Sequence, residues 1–147
     1  MKKIIISFSF LLLTGLSAVF ANENADPTRQ VLDEFKKEFT AARQVSWEKE
    51  GEYDKATFLL ADRLVVAYFN TTGQFEGCVR ELFFDQLPLA VMTAVDKRFS
   101  TAEILGVKEI TNGDGTHYRI TLNAKNKKYS VKLGPGGSID RVEKLKK

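Results

Sequence analysis

Apolar side chains at Val31, Leu32, Phe35, Phe39 and Ala42 recur at spacings of three and four, the period of one helix face. The pattern predicts a helix capped by Asp26, with Pro27 in its first turn, that ends near Arg43. Beyond it the pattern changes to alternation, and strands are expected near 45–49, 53–61, 63–69 and 75–82. The same order of elements then returns. Pro88 opens a second helix running to about Phe99, followed by strands near 104–110, 117–124, 128–133 and 138–145.

The return is residue by residue. Adding 60 to the first helical set gives Val91, Met92, Val95, Phe99 and Ala102, all apolar or small, and takes Val45 and Trp47 to Leu105 and Val107. Further on the offset is 64: Ala56 and Phe58 map to Ile120 and Leu122, Val65, Ala67 and Phe69 to Tyr129, Val131 and Leu133, and Gly73 to Gly137. The four extra residues fall around Thr111–Thr116, whose Asn-Gly-Asp-Gly core is hairpin-turn chemistry; the shorter turn of the first copy uses Glu50-Gly51. We read a duplication, with copies at 22–84 and 85–147. Short turns between successive strands imply antiparallel meanders, and one apolar stripe per helix covers one face of each sheet. The fold class expected is α+β.

Equivalence between copies also sets strand phase. Tyr118, Ile120 and Leu122 are the inward set, so Tyr53, Lys55 and Thr57 point outward with His117, Arg119 and Thr121. In the next strands the outward sets are Leu64, Val66, Tyr68 and Lys128, Ser130, Lys132. Asp54 falls on the inward phase as a misfit at a strand end. Phe75 and Cys78, like Ile139 and Val142, sit three apart, a break in alternation that a β-bulge in each last strand would reconcile. Trp47, paired with Val107, is expected in the core.

Ahead of the repeats, Lys2 and Lys3 precede an apolar run from Ile4 to Leu13, and small residues lead to Ala21. This is the layout of a secretory signal peptide, residues 1–21, cleaved near Ala21; the run is too short to span a bilayer. A periplasmic or secreted chain without stable membrane insertion is expected. The leader holds two of the 22 basic residues and none of the 19 acidic ones, so the remaining 126 residues carry a net charge of only +1. That near balance argues against nucleic acid as a partner. Cys78 is alone, which leaves no internal disulfide and suggests a small buried hydrophobe.

Catalytic and metal constellations are sparse. His117 is the single histidine and lies outward, without the partners a triad or metal site requires. Glu48, Glu50, Glu52 and Asp54 bracket a hairpin and suit a solvated turn better than an acid–base pair. Asn112-Gly-Asp-Gly lacks the later acidic ligands of a calcium loop, and Asn70-Thr71-Thr72 reads as a turn. No cofactor, metal or catalytic residue is assigned, and the chain is expected not to be an enzyme.

The short helix carrying Phe35 and Phe39 leads into Val45-x-Trp47, then Gly51-x-Tyr53-x-x-Ala56-x-Phe58; Phe69 and Gly73-x-Phe75 close the copy, and Leu87-Pro88 opens the next. Over nearly the whole chain after the leader, this order resembles the PepSY-like family of exported bacterial proteins, also described as β-lactamase-inhibitor-protein-like. Thr40 stands where the family often has Pro after the helix-end Phe. The resemblance implies tandem α/β units in a largely open, curved sheet and a non-enzymatic role. In the namesake inhibitor the concave sheet and its hairpins grip an enzyme. The matching positions here are core and turn positions, so no inhibitory residue carries over, and the inhibitor's disulfides are absent.

The outward strand phase is then either an ordinary solvated face or a binding surface for a protein or peptide. Its candidate residues are Tyr53, Lys55, Val66, Tyr68, His117, Arg119, Lys128 and Lys132. Tyr and Arg are common interface anchors. Inhibition of an envelope enzyme is one form such binding would take. The alternative is a periplasmic carrier or sensor of a small ligand held between helices and sheet.

Overall fold

The computed structural model describes residues 26–146. The expected signal peptide and its cleavage point lie outside the described residues. Helix α1 (Arg29–Glu38) is followed by strands β1 (Arg43–Glu50), β2 (Tyr53–Leu60), β3 (Arg63–Phe69) and β4 (Phe75–Leu82). A single 3-10 turn at Phe84–Gln86 leads to helix α2 (Leu89–Phe99), then β5 (Glu103–Asn112), β6 (Gly115–Ala124), β7 (Lys127–Leu133) and β8 (Ile139–Lys144). All eight strands form one antiparallel sheet in the order β1 to β8, which leaves β1 and β8 as its edges. The two four-stranded halves meet through β4 and β5, with Leu82 opposite Val107 and Gly77 opposite Asn112.

Two features of α1 differ from expectation. Its cap is Thr28, whose hydroxyl accepts from the Val31 amide at 3.3 Å, because that side chain and not Asp26 stands three residues before an otherwise unpaired helical N–H. The helix stops at Glu38 and not at Arg43. Phe39 leaves the helical region (φ −125°, ψ 60°) so that its ring reaches Phe58 and Phe75, and Arg43 already pairs with Leu59 as strand.

Each helix covers its own half of the sheet. Val31 and Phe35 of α1 are buried against Ala56, Phe58, Val65, Ala67 and Phe69. Val91 and Val95 of α2 are buried against Val107, Ile120, Leu122, Val131 and Leu133. Val65 opposes Arg80, and Leu82, two residues on, opposes Val107, so both cores and both helices share one face of the sheet. Trp47 lies half-buried with its ring edge-on to Phe35 at 5.2 Å. Cys78 packs half-buried beside the first core, where burial pushes its thiol pKa up and keeps it a protonated, hydrophobic group.

Local features recur at the offset seen in the sequence. Register shifts interrupt β3/β4 between Tyr68 and Phe69, and β7/β8 between Lys132 and Leu133, which are the two expected bulges. The β3–β4 and β7–β8 turns place Gly73 (φ +81°) and Gly137 (φ +84°) against the first turns of α1 and α2. The β2–β3 and β6–β7 hairpins turn on Ala61-Asp62 and Lys125-Asn126, all four at φ of 49° to 60°. That conformation is the two-residue type I′ turn, which Asn-Gly suits and a lysine does not. The double substitution Lys125→Asn, Asn126→Gly is expected to raise stability by about 1 kcal/mol. An unchanged or lowered denaturation midpoint would refute this account of the turn.

The four extra residues around Thr111–Thr116 act differently from a longer loop. Glu50 opposes Tyr53 around Gly51-Glu52, and Asn112 opposes Gly115 around Gly113-Asp114, so both turns hold two residues. The difference lies in the strands: β1 and β2 have eight residues each, β5 and β6 ten. The β5–β6 hairpin is a ladder two residues longer, about 7 Å of added reach. Cross-strand pairing explains it, because Thr111 and Thr116 face each other with hydroxyls 3.1 Å apart and continue the ladder.

Candidate functional site

With both helices on one side, the other face of the sheet has no covering layer among the described residues. Strand register arranges its side chains in rows that cross the strands. One row runs Thr57, Val66, Val79, Ile110 and His117 on β2 to β6. The next runs Glu81, Lys108, Arg119, Lys132 and Arg141 on β4 to β8. Adjacent strands are about 4.8 Å apart and adjacent rows two residues apart, so each row is close to the next.

The eight sequence candidates all lie on the outward phase, but they do not form one cluster. Tyr53 (44% exposed) and Tyr68 meet edge to face, with ring centroids 6.4 Å apart. They border a cleft of about 530 Å³ whose walls also include Glu50, Glu76, Val79, Ile110 and the tip of the β5–β6 hairpin at Thr111–Asp114. Val66 belongs to the apolar row beside this cleft. Lys55 sits in the same region, yet its ammonium is held by Glu48 at 3.1 Å and Glu50 at 3.2 Å. Those two hydrogen bonds raise its pKa above the usual lysine value, so Lys55 is a neutralised cation and a poor contact for an anion. The same contacts explain the acidic hairpin. Glu48 and Glu50 serve Lys55 on the open face, whereas Asp54 is buried on the helix face and takes a hydrogen bond from Lys49 at 3.0 Å.

His117, Arg119 and Lys132 lie farther along the sheet in the second half. Burial lowers the His117 pKa, and the positive charges of Lys132 and Arg119 push it the same way, which leaves the imidazole neutral near pH 7. Lys128 stands apart. It faces Asn123 near the β6–β7 turn and lines an opening of about 1080 Å³ with Lys127, Lys144, Leu145 and Lys146.

Four residues of this face were not singled out from the sequence. Val79 and Ile110 occupy its centre, and Lys108 and Arg141 extend its cation row. The sequence phase runs through β2, β3, β6 and β7 only, because the bulges in β4 and β8 break alternation. Carrying the outward phase of His117 and Arg119 across a hairpin onto β5 would have found Ile110 and Lys108.

The helix side carries one polar group between the two cores. Arg80 donates to Glu109 at 2.8 Å, and Glu109 faces Tyr118, whose phenol pKa is raised by burial and by that carboxylate. The pair joins β4 to β5 and stitches the halves together. The Asn112 side chain accepts from the Asp114 amide, and that of Asn70 from the Thr72 and Gln74 amides, which assigns both motifs to turns. Among the described residues no three of His, Cys, Asp and Glu gather to hold a metal, and no helix is long and apolar enough to cross a membrane.

No protein-family model matches the sequence, and no curated protein matches it. Solved structures do share its architecture. A BLIP-like (β-lactamase-inhibitor-protein-like) protein from Bacteroides fragilis superposes with a TM-score of 0.75 at 22% identity, over 82% of this chain and 87% of that one. A DUF2874 family protein from Bacteroides uniformis gives 0.74 at 21% identity, over 81% and 90%. A protein provisionally described as periplasmic, from Bacteroides eggerthii, gives 0.73 at 19% identity, over 81% and 89%. The chain therefore has the fold of the BLIP-like and DUF2874 proteins, with two helices laid on one side of an open eight-stranded antiparallel sheet.

Proposed function

We propose that this chain is an exported, non-catalytic binding protein that holds a protein or peptide partner against the open face of its sheet. In this reading residues 1–21 direct export, and duplicated units at 22–84 and 85–147 build the platform. The observation that carries it is the one-sided covering of the sheet. The face away from the helices bears Tyr53, Val66, Tyr68, Val79 and Ile110 as one patch across β2 to β5, on a scaffold whose stability comes from the opposite side. Aromatic and aliphatic side chains set among polar ones are the composition of an interface centre. Export is supported by the amino-terminal pattern and by the provisional description of one structural neighbour as periplasmic. A partner of protein kind is supported by the BLIP-like neighbour, whose description carries an inhibitor's name.

Affinity capture from the envelope fraction with the purified chain tests the reading. A specific protein should be retained, and the double substitution Tyr53→Ala, Tyr68→Ala should weaken it at least about tenfold while leaving the unfolding midpoint nearly unchanged. Undiminished affinity would remove the open face from the interface. A defined metabolite on the chain, with no protein retained, would favour the small-ligand carrier instead.

A further inference from the structure

The two copies are charged oppositely. Residues 22–84 hold twelve acidic and eight basic side chains, whereas 85–147 hold seven acidic and twelve basic ones. On the open face this excess is drawn up in a line. Lys108 opposes Arg119, Arg119 opposes Lys132, and Lys132 opposes Arg141, one cation on each of four successive strands. Like charges directly opposite one another destabilise a sheet, so three consecutive such pairs work against folding. Among the described residues, Lys108, Arg119 and Lys132 make no ion pair; Glu81 stands opposite Lys108 at the β4 end, and Arg141 bonds to Glu143 at 2.6 Å. On the side away from the apolar row, the line is flanked by Gly106, Thr121 and Ser130, small residues that leave the cations accessible, and at the β8 edge by Glu143, the partner of Arg141. Departures from local sheet rules of this kind fall where a surface serves binding.

We infer that the partner brings an acidic, amphipathic polypeptide segment, its carboxylates set along Lys108, Arg119 and Lys132 and its apolar side chains along Val66, Val79 and Ile110. This rests on the open-face reading above and names the chemistry of its occupant. Spacing supports a helix as that segment. Side chains three or four apart on a helix lie about 5–6 Å from each other, close to the strand spacing of about 4.8 Å, so one carboxylate can meet each strand's cation. Ile110 adjoins Lys108 on β5 and leads from the cation line to Val79 on β4 and Val66 on β3, and these aliphatic groups distinguish a polypeptide from a phosphate polymer, which has none to bury there. The neutral His117 at the end of the apolar row adds no charge of its own.

The probe is a fluorescein-labelled peptide whose leucine stripe leads into a glutamate stripe at helical spacing, titrated onto the purified full chain; its glutamine analogue is the control. The glutamate peptide should bind at least about tenfold more tightly than the glutamine form, with affinity falling as salt rises. Arg119→Glu and Lys132→Glu should each weaken it at least about tenfold. Neither should lower the unfolding midpoint, since each turns a repulsive register pair into an attractive one. Equal binding of the two peptides would overturn the inference, as would charge reversals without effect. So would tighter binding of polyphosphate, a single-stranded oligonucleotide or anionic phospholipid vesicles through the same residues. Suppose Tyr53→Ala, Tyr68→Ala weakens capture of an envelope partner while the charge reversals do not. The face would then remain the docking surface and its acidic occupant would be wrong. If no substitution weakens capture, both fall.

Discussion

Phe35→Ala is expected to remove about 3–5 kcal/mol of folding stability, the cost of emptying a buried aromatic site. The Phe35 ring meets Phe39 at 5.4 Å, Trp47 at 5.2 Å, Phe58 at 5.1 Å and Phe69 at 6.2 Å between centroids, mostly edge to face. It is the point where α1 contacts β1, β2 and β3 at once. Alanine there would leave a void lined by four aromatic groups held on different elements, which cannot all close in. Folded domains have only about 5–15 kcal/mol in hand, so the thermal midpoint should drop by more than about 10 °C. Phe83→Ala provides the contrast. That ring is 59% exposed and held chiefly by the Arg63 guanidinium 3.9 Å above it, so its loss should cost no more than about 1 kcal/mol. Denaturant unfolding followed by circular dichroism compares the two. Similar losses for both would mean that the first core is not organised around Phe35.

Gly137→Ala should cost about 2–4 kcal/mol, and clearly more than the equivalent Gly73→Ala. Both glycines have positive φ, which penalises any Cβ, but the surroundings differ. A Cβ on Gly137 would stand 2.4 Å from the carbonyl oxygen of Ala90 and 2.8 Å from its carbon, so helix α2 or the β7–β8 turn must shift. A Cβ on Gly73 would meet the Gln30 side chain at 2.8 Å, and a flexible glutamine can swing aside. Because the Gly137 turn seats α2 on its half of the sheet, amide exchange should rise first in α2 and in β7 and β8. Equal losses for the two variants would show that backbone strain alone decides, without the helix contact.

The pair also shows how far the recurrence of local features reaches. Equivalent glycines, equivalent bulges and equivalent type I′ turns all lie where the offsets of 60 and 64 put them, because each depends on chain geometry within one unit. Asp54 illustrates what local pattern misses. Alternation marks it as inward, and only the structure supplies Lys49 as the partner that lets a carboxylate sit there. Lys55 is the reverse case. Outward phase suggests an available cation, but Glu48 and Glu50 on the neighbouring strand consume it. Partnerships of this kind cross from strand to strand, and no periodicity within a strand reports them.

The open face divides along the same line. Tyr53, Val66, Tyr68, Arg119 and Lys132 were legible as outward because burial alternates with a period of two along each strand. Their arrangement was not. Whether Arg119 and Lys132 face each other, and whether Lys108 and Arg141 continue that line, depends on register across three strand pairs and on bulges that reset it.

By itself, then, the sequence determined the order of elements, its recurrence along the chain, the α+β class and the face on which the side chains of β2, β3, β6 and β7 fall, since all of these follow from spacing along the chain. The tertiary structure alone decided that the four extra residues lengthen the β5 and β6 ladder, that both helices share one side of a continuous sheet, and that four cations meet in one row. Those outcomes depend on hydrogen-bond pairing between segments far apart in the chain, where register and not local preference sets which residues become neighbours.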